Sequence, residues 1–330
     1  MITMGYIPPF SLTEEMLDII SEISETLGNI KNIEELNKLP RLRRIGRLKS
    51  IQSSLAIENN SLSITQVSDV IDGKRVLGPP NEIQEVKNAF AAYSELERIN
   101  PYNVNDLLRI HKMMTTGLIE ESGKFRTVNE GIYNIEGIVV HFAPPPSRVP
   151  ELMDDLFNWL NNSKAHALIK SSVFHYEFEF IHPFRDGNGR IGRLWQTAIL
   201  MTWKPVFAWI PVETVIRERQ TEYYEAIASS TAAGNSNVFI EFMLKAILDS
   251  VRTSAADAKT HIYHMNTRVR ELMAVMEDYP LSSVELMERL GLKSRDGFRN
   301  NYLNPAIEAG LVSLTEPNSP RSKNQRYFKN

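Results

Sequence analysis

The sequence predicts a mainly α-helical bundle with one β-hairpin and a winged-helix domain at its C-terminal end. Three observations carry that expectation. Apolar residues recur at helical spacing through most of residues 12–279, as in LTEEMLDIISEISETLG. Two short β-rich runs, GIYN and IVVHF, stand alone between residues 123 and 146, and the Gly-containing turn between them marks a hairpin. Beyond Tyr279 the pattern shortens to helix, turn, helix and a second hairpin.

Taken in order, Ser11 and Glu14 are expected to form a capping box ahead of the first helix. A second helix is expected through RLRRIGRLKSIQSSLAIEN, ending near Asn59 and Asn60. Its basic stretch, Arg41 to Lys49, reads as the solvated face of an amphipathic helix. Further helices are expected at ITQVSDVID, NEIQEVKNAFAAYSELERI and NVNDLLRIHKMMTTGL, with Gly and Pro between them. Helix resumes after the hairpin at SRVPELMDDLFNWLNN and HALIKSSVFHYEFEFI. HPFRDGNGR cannot continue it, because Pro and two close Gly break a helix. The expected divisions are an N-terminal helical region over 1–100, a central core over 101–255, and a linker helix with the winged helix over 256–330.

With 330 residues, 42% of them hydrophobic and 23% charged, the chain suits a soluble protein of two domains, or of one domain with an appendage. A net charge of -3 argues against coating nucleic acid with the whole surface. The absence of cysteine removes disulfides, thiolate zinc sites and cysteine nucleophiles. No run approaches the roughly 20 apolar residues of a membrane helix. MITMGYIPPF carries no basic stretch leading into an apolar one, so no secretory signal is read there. A cytoplasmic protein without a membrane partner is expected.

Chemistry concentrates between His182 and Arg193, HPFRDGNGRIGR. Gly187 and Gly189 let backbone N–H groups approach an anion, and the loop opens a helix whose free N–H groups favour phosphate. Arg190 and Arg193 lie three apart and can offer guanidinium forks to phosphate oxygens. Asp186 supplies a hard oxygen for Mg2+, and His182 can be neutral near pH 7 and accept a proton. These are the parts phosphoryl-type transfer requires. GNGRIG also matches GxGxxG, but a helix precedes it and no parallel-strand pattern follows, so a dinucleotide fold is rejected. A Walker loop fails for want of Gly-Lys-Ser/Thr. A metal site from His175, His182 and Asp186 is set aside because the loop breaks register between them; His175, His111 and His141 read as structural.

The segment resembles the signature of the Fic family, His-x-Phe-x-Asp/Glu-Gly-Asn-Gly-Arg-x-x-Arg, at every defined position. The resemblance extends to the hairpin, the N-terminal helices and the C-terminal tail. It implies a protein adenylyltransferase moving AMP from ATP to a Ser, Thr or Tyr hydroxyl of a target protein or of itself. It also implies roles: His182 as base, Phe184 as loop anchor, Asp186 as magnesium ligand. Gly187, Asn188 and Gly189 become the anion cradle, Arg190 contacts the phosphate chain and Arg193 takes the γ-phosphate.

Ser54 to Asn59, SLAIEN, resembles the family's inhibitory motif Ser/Thr-x-x-x-Glu-Gly/Asn. Glu58 reaching Arg193 would occupy the fork meant for the γ-phosphate, with Ser54 beside it. The hairpin around Gly131, Ile132, Tyr133 and Asn134 resembles the flap on which a target segment pairs as an added strand. Tyr224 is placed on the adenine side, with core packing as the competing reading.

The tail carries Arg289, Lys293, Arg295, Arg299, Arg321, Lys323, Arg326 and Lys329, a basic set fitted to DNA, to a protein target or to a second subunit. Two other functions remain open on the sequence. One is a Fic-fold transferase using another nucleotide or phosphate donor. The other is a DNA-binding regulator with a nucleotide-sensing site. Removal of AMP by the same site, with Glu58 orienting a water, is a further possibility.

Overall fold

The computed structural model describes residues 6–29, 40–133, 139–264, 267–308, 310–317, 319 and 322–330. The chain forms two compact units, Met1–Asn29 with Gly46–Arg252, and Ile30–Ile45 with Thr253–Asn330. In order, the first unit carries α1 (Glu14–Asn29), most of α2 (Pro40–Ile57), α3 (Ile64–Ile71), α4 (Pro80–Ser94) and α5 (Val104–Thr115). Strands β1 (Gly131–Tyr133) and β2 (Val139–Phe142) follow. Then come α6 (Val149–Asn162), α7 (Ala167–Ile181), α8 (Asn188–Met201), α9 (Val212–Glu218), α10 (Gln220–Ala233) and the first part of α11 (Asn237–His264).

The centre is the pair α7 and α8. A surface helix buries one stripe, whereas these bury nearly every residue, the pattern of a helix inside a core. Phe174, Phe178, Leu194, Trp195 and Ile199 are fully buried there. The other helices wrap this pair with one apolar face each; α1 buries Met16, Ile23 and Leu27. Thr13, rather than Ser11, caps α1: its hydroxyl accepts from the Met16 N–H at 3.2 Å, three residues on. Ser11 instead exchanges two bonds with Asn237 of α11. A cap must sit where the helix begins, and tertiary pairing claimed the earlier serine.

Strands β1 and β2 form a two-stranded antiparallel sheet, with Gly131 opposite Phe142 and Ile132 opposite His141. This is the expected hairpin; Asn134 and the turn lie outside the described residues.

The second unit runs α12 (Thr267–Val275), β3 (Leu281–Ser282), α13 (Ser283–Arg289), α14 (Arg295–Phe298), a π turn (Arg299–Leu303), α15 (Asn304–Glu308), β4 (Val312–Leu314) and β5 (Arg326–Lys329). Its antiparallel sheet has the order β3-β5-β4, so β5 is central. A core of Leu272, Leu286, Phe298, Leu303, Ala306 and Val312 fills the space between sheet and helices. Two of its basic residues are engaged locally: Arg289 with Glu277 and Arg326 with Glu285. No helix among the described residues is long and apolar enough to cross a membrane.

Candidate active site

The site is built where α7 stops. His182 adopts a left-handed backbone (φ 50, ψ 60), uncommon for a residue with a Cβ, and Pro183 prevents the helix from continuing. Gly187 is also left-handed (φ 83) and starts α8. Between them Asn188 closes the loop on itself. Its side-chain carbonyl accepts from the Phe184 N–H at 2.9 Å, and its amide donates to the Phe184 carbonyl at 2.8 Å. The Phe184 ring is buried and stacks on His111, centroids 3.6 Å apart.

His111 has a fixed tautomer. Its Nδ1 accepts from the Gly123 N–H at 2.9 Å, so Nε2 carries the hydrogen and donates to the Asp186 carbonyl at 3.0 Å. Burial pushes its pKa down to about 4, with the Asp186 bond opposing. His175 is the same kind of residue: buried between Gln196, 2.6 Å from its Nδ1, and the Tyr223 hydroxyl, 3.1 Å from its Nε2. Both are structural, as the sequence reading has them. The side chain of His141 lies outside the described residues.

The two arginines diverge. Arg190 donates to Glu85 of α4 at 3.1 Å and to Asp186 at 2.8 Å. Arg193, only 2% exposed, points to the end of α2. Its Nε donates to the Ser54 hydroxyl at 3.1 Å, and one Nη donates to the Ser54 carbonyl at 3.0 Å and to Glu58 at 2.7 Å. Burial opposes its charge, but Glu58, Tyr223 and Glu179 favour it and win, so Arg193 stays cationic.

Glu58 is set by its own helix end. The Asn59 N–H bonds to the Ala56 carbonyl, the Asn60 N–H reaches the Leu55 carbonyl, and Asn59 takes a left-handed φ of 67. These bonds make a Schellman stop with Glu58 as the last capping residue. The carboxylate then lies over the start of α8: a Cβ on Gly189 would stand 2.3 Å from Glu58 Oε1. Glu58 thus covers the backbone that the sequence marks as an anion cradle, besides pairing with Arg193.

Asp186 is 51% exposed and accepts through Oδ1 from the Gly187 N–H and from Arg190. Among the described residues no three His, Asp or Glu side chains converge on an ion site. A single open carboxylate fits Mg2+ that arrives on substrate phosphates, which takes one or two protein ligands and keeps its waters.

Comparison with known proteins places the chain. Residues 101–200 match the Fic/DOC family, and residues 267–328 match the C-terminal domain of Fic-like proteins, named for filamentation induced by cAMP. A Fic family protein from Desulfovibrio desulfuricans has a crystal structure similar over 98% of both chains, at 49% identity and a TM-score of 0.75. The chain belongs to the Fic family. A probable protein adenylyltransferase of Aquifex aeolicus is 30% identical over 60% of this chain and 68% of its own length. A protein adenylyltransferase of Caenorhabditis elegans is 26% identical over 64% of this chain but 41% of its own length. The fold of a Caenorhabditis elegans Fic-1 fragment is shared at a TM-score of 0.64 and 22% identity.

The Fic loop, Ser54 and Glu58 are therefore brought together, and Tyr224 joins them. Tyr223 is the core tyrosine; Tyr224 is half-buried, and its pKa is raised by burial and then by the charge of Glu58. Gly131, Ile132 and Tyr133 sit on β1.

Three participants escaped the sequence reading. Glu85 accepts from Arg190 and from Asn60, whose amide is 2.7 Å away. Glu179, buried on α7, has one oxygen 4.0 Å from His182 Nδ1 and the other 3.8 Å from His175. Burial pushes its pKa up to about 8 against the pull of Arg193, with Glu58 adding to the rise. Arg126 holds the loop from the hairpin side. The only sequence signal for the two glutamates is charge at a helical position inside an apolar run.

Proposed function

We propose that the protein is an ATP-dependent adenylyltransferase that modifies a hydroxyl of a protein and is held off by its own Glu58. The observation that carries this reading is the arrangement at the start of α8. The cradle glycines, the buried Arg193 and the loop histidine belong to one twelve-residue loop there, and the carboxylate that covers Gly189 and pairs with Arg193, Glu58, comes from the end of α2. Names of relatives support the reaction class.

In this reaction the acceptor oxygen forms a bond to the α-phosphorus, the bond to the bridging oxygen breaks, and pyrophosphate leaves. His182 takes the hydroxyl proton. Its Nδ1 is buried toward Glu179, which leaves Nε2 as the nitrogen for an incoming proton. Backbone N–H groups of Gly187, Asn188 and Gly189 hold phosphate oxygens, and Arg193 holds the γ-phosphate once Glu58 withdraws. For Arg190, the buried links to Glu85 and Asp186 favour orienting Asp186, with phosphate contact following if those links open. Mg2+, when bound at Asp186, neutralises phosphate charge. Tyr224 lies beside Glu58 where the nucleoside would enter. Among the described residues the hairpin pairs with no further strand, so a target segment can add to it through main-chain bonds.

Inhibition follows from position. With Glu58 on Arg193, a nucleotide cannot seat its γ-phosphate, and a misplacement of about 1 Å at the α-phosphorus costs ~10²-fold in rate. The test is label transfer from α-labelled ATP to protein with wild type, Glu58→Gly and Glu58→Gly/His182→Ala. Strong labelling only with Glu58→Gly is expected. No labelling in any of the three, with ATP still bound, would overturn the reading in favour of another donor or a nucleotide sensor.

A further inference from the structure

We infer that Arg126 is a positioning residue that joins the flap hairpin to the catalytic histidine, so that seating a strand and aiming His182 become one event. The inference rests on the adenylyltransferase reading, and the experiment below separates the two.

Arg126 lies between α5 and β1 and is 2% exposed. Its donors all go to main-chain carbonyls. Nε donates to His182 at 2.7 Å, Nη1 to Val128 at 2.8 Å, and Nη2 to Pro144 at 2.5 Å and Ile181 at 3.3 Å. Its own backbone N–H donates to the Pro183 carbonyl at 2.9 Å. One guanidinium therefore grips the end of α7, the chain entering β1 and the chain leaving β2. Burial lowers its pKa, opposed by the charge of Glu130. A guanidinium nonetheless remains charged, and its bonds are charge-assisted.

The geometry has a consequence for His182. A left-handed conformation at a residue with a Cβ is strained and persists only where neighbours over-determine it. Here those neighbours include the Arg126 fork on the carbonyl of that residue and the main-chain bond to the next one. The fork is planar and rigid, so a shift of Val128 or Pro144 moves the plane that holds His182. The hairpin closes just beyond these carbonyls, where the Ala143 N–H meets the Glu130 carbonyl at 3.1 Å. A target strand that straightens the hairpin thereby sets the histidine. A lysine at 126 keeps the charge but has one nitrogen and cannot span three places.

The test uses the full chain carrying Glu58→Gly. Self-labelling rate from α-labelled ATP, ATP affinity and amide exchange are measured for Arg126→Lys and Arg126→Ala. The expected result is a rate lower by ~10²-fold, the cost of a misplacement of about 1 Å. ATP affinity should stay within about twofold, since Arg126 bonds to no group of the phosphate cradle. Millimolar guanidinium should restore at least a tenth of the lost rate to Arg126→Ala, and equal ammonium should not; a fold defect would answer to neither. Backbone amides at 126 and 143 should exchange faster in Arg126→Lys while those of α8 do not. An Arg126→Lys rate within about twofold of its parent overturns the inference, as does equal loss of rate and ATP affinity without guanidinium rescue. If the parent itself transfers no AMP, the adenylyltransferase reading falls. Exchange at 126 and 143 then decides: unchanged amides sink the coupling and faster ones sustain it.

Discussion

The two sides of the Fic loop are built on opposite principles. On the brake side, α2 is part of the core. Ile51, Leu55 and Ile57 are buried, and Ser50 donates to the buried Glu213 at 2.8 Å. Arg217 donates to Gln52 at 2.7 Å, and Gln220 donates to the Ile57 carbonyl at 3.0 Å. Gly46 lets α2 lie against Trp209, whose carbonyl would be 2.1 Å from any Cβ there. On the flap side, two strands of three and four residues pair with each other and, among the described residues, with no other strand, and Phe142 is 80% exposed. On the proposed reading, inhibition is thus written into close packing, where one atom matters, and docking is left to an edge that can change without loss of the fold. On that reading the resting enzyme is off, and releasing it means withdrawing the Glu58 side chain, since moving α2 would expose core.

The sharpest break in this contrast is Glu58→Gly. It removes the only acid on Arg193 from α2 without touching the core contacts of that helix. AMP transfer should rise about 10²-fold while the melting temperature changes little. A rise matched by a large drop in melting temperature would mean that the helix, rather than the carboxylate, is the brake.

A second prediction uses pH. Glu179 titrates near 8 when folded, against about 4.5 when unfolded. Its contribution to stability is full below pH 4.5 and lost as pH rises through 8, because the unfolded chain gives up the proton first. The loss is at most about 1.4 kcal/mol per pH unit. Glu179→Gln cannot titrate, so the stability of the variant relative to wild type should increase from pH 5 to pH 8 in denaturant titrations. A constant difference across that range would show that Glu179 is ionised throughout. Smaller again is Ser54→Ala, which removes one acceptor from Arg193 while leaving Glu58 in place. A loss near 1 kcal/mol and a several-fold rise in basal transfer are expected. No change in transfer would assign the aim of Arg193 to Glu58 and the Ser54 carbonyl alone.

What the sequence revealed follows the same division. The loop is legible because its determinants are local: the helix stop at Pro183, the glycines and the two arginines fall within twelve consecutive residues. Glu58 was legible only as a motif, since nothing within SLAIEN says that it reaches a residue 135 positions away. Glu85, Glu179 and Arg126 had no comparable pattern. Each is a charge in an ordinary helix or turn, and its meaning comes from partners supplied by tertiary packing. The misplaced cap at Ser11 has the same origin, because Asn237, 226 residues on, competes for that serine.

The smallest stability effect should come from the flap, and it tests the contrast most directly. Phe142 faces Gly131 across the pair and leaves its ring in solvent. Phe142→Ser should change stability by no more than about 0.5 kcal/mol, the range for exposed positions without special contacts. In the Glu58→Gly background, ATP affinity should also hold, since β2 contributes nothing to the cradle. Transfer to protein should nevertheless fall several-fold, because an aromatic ring on a free hairpin is surface a docked strand would bury, worth about 1.5–3 kcal/mol when fully covered. Equal self-labelling by Phe142→Ser and its parent would show that acceptor segments bypass this end of the hairpin. The unpaired edge of β1 would then be the place to look for the acceptor.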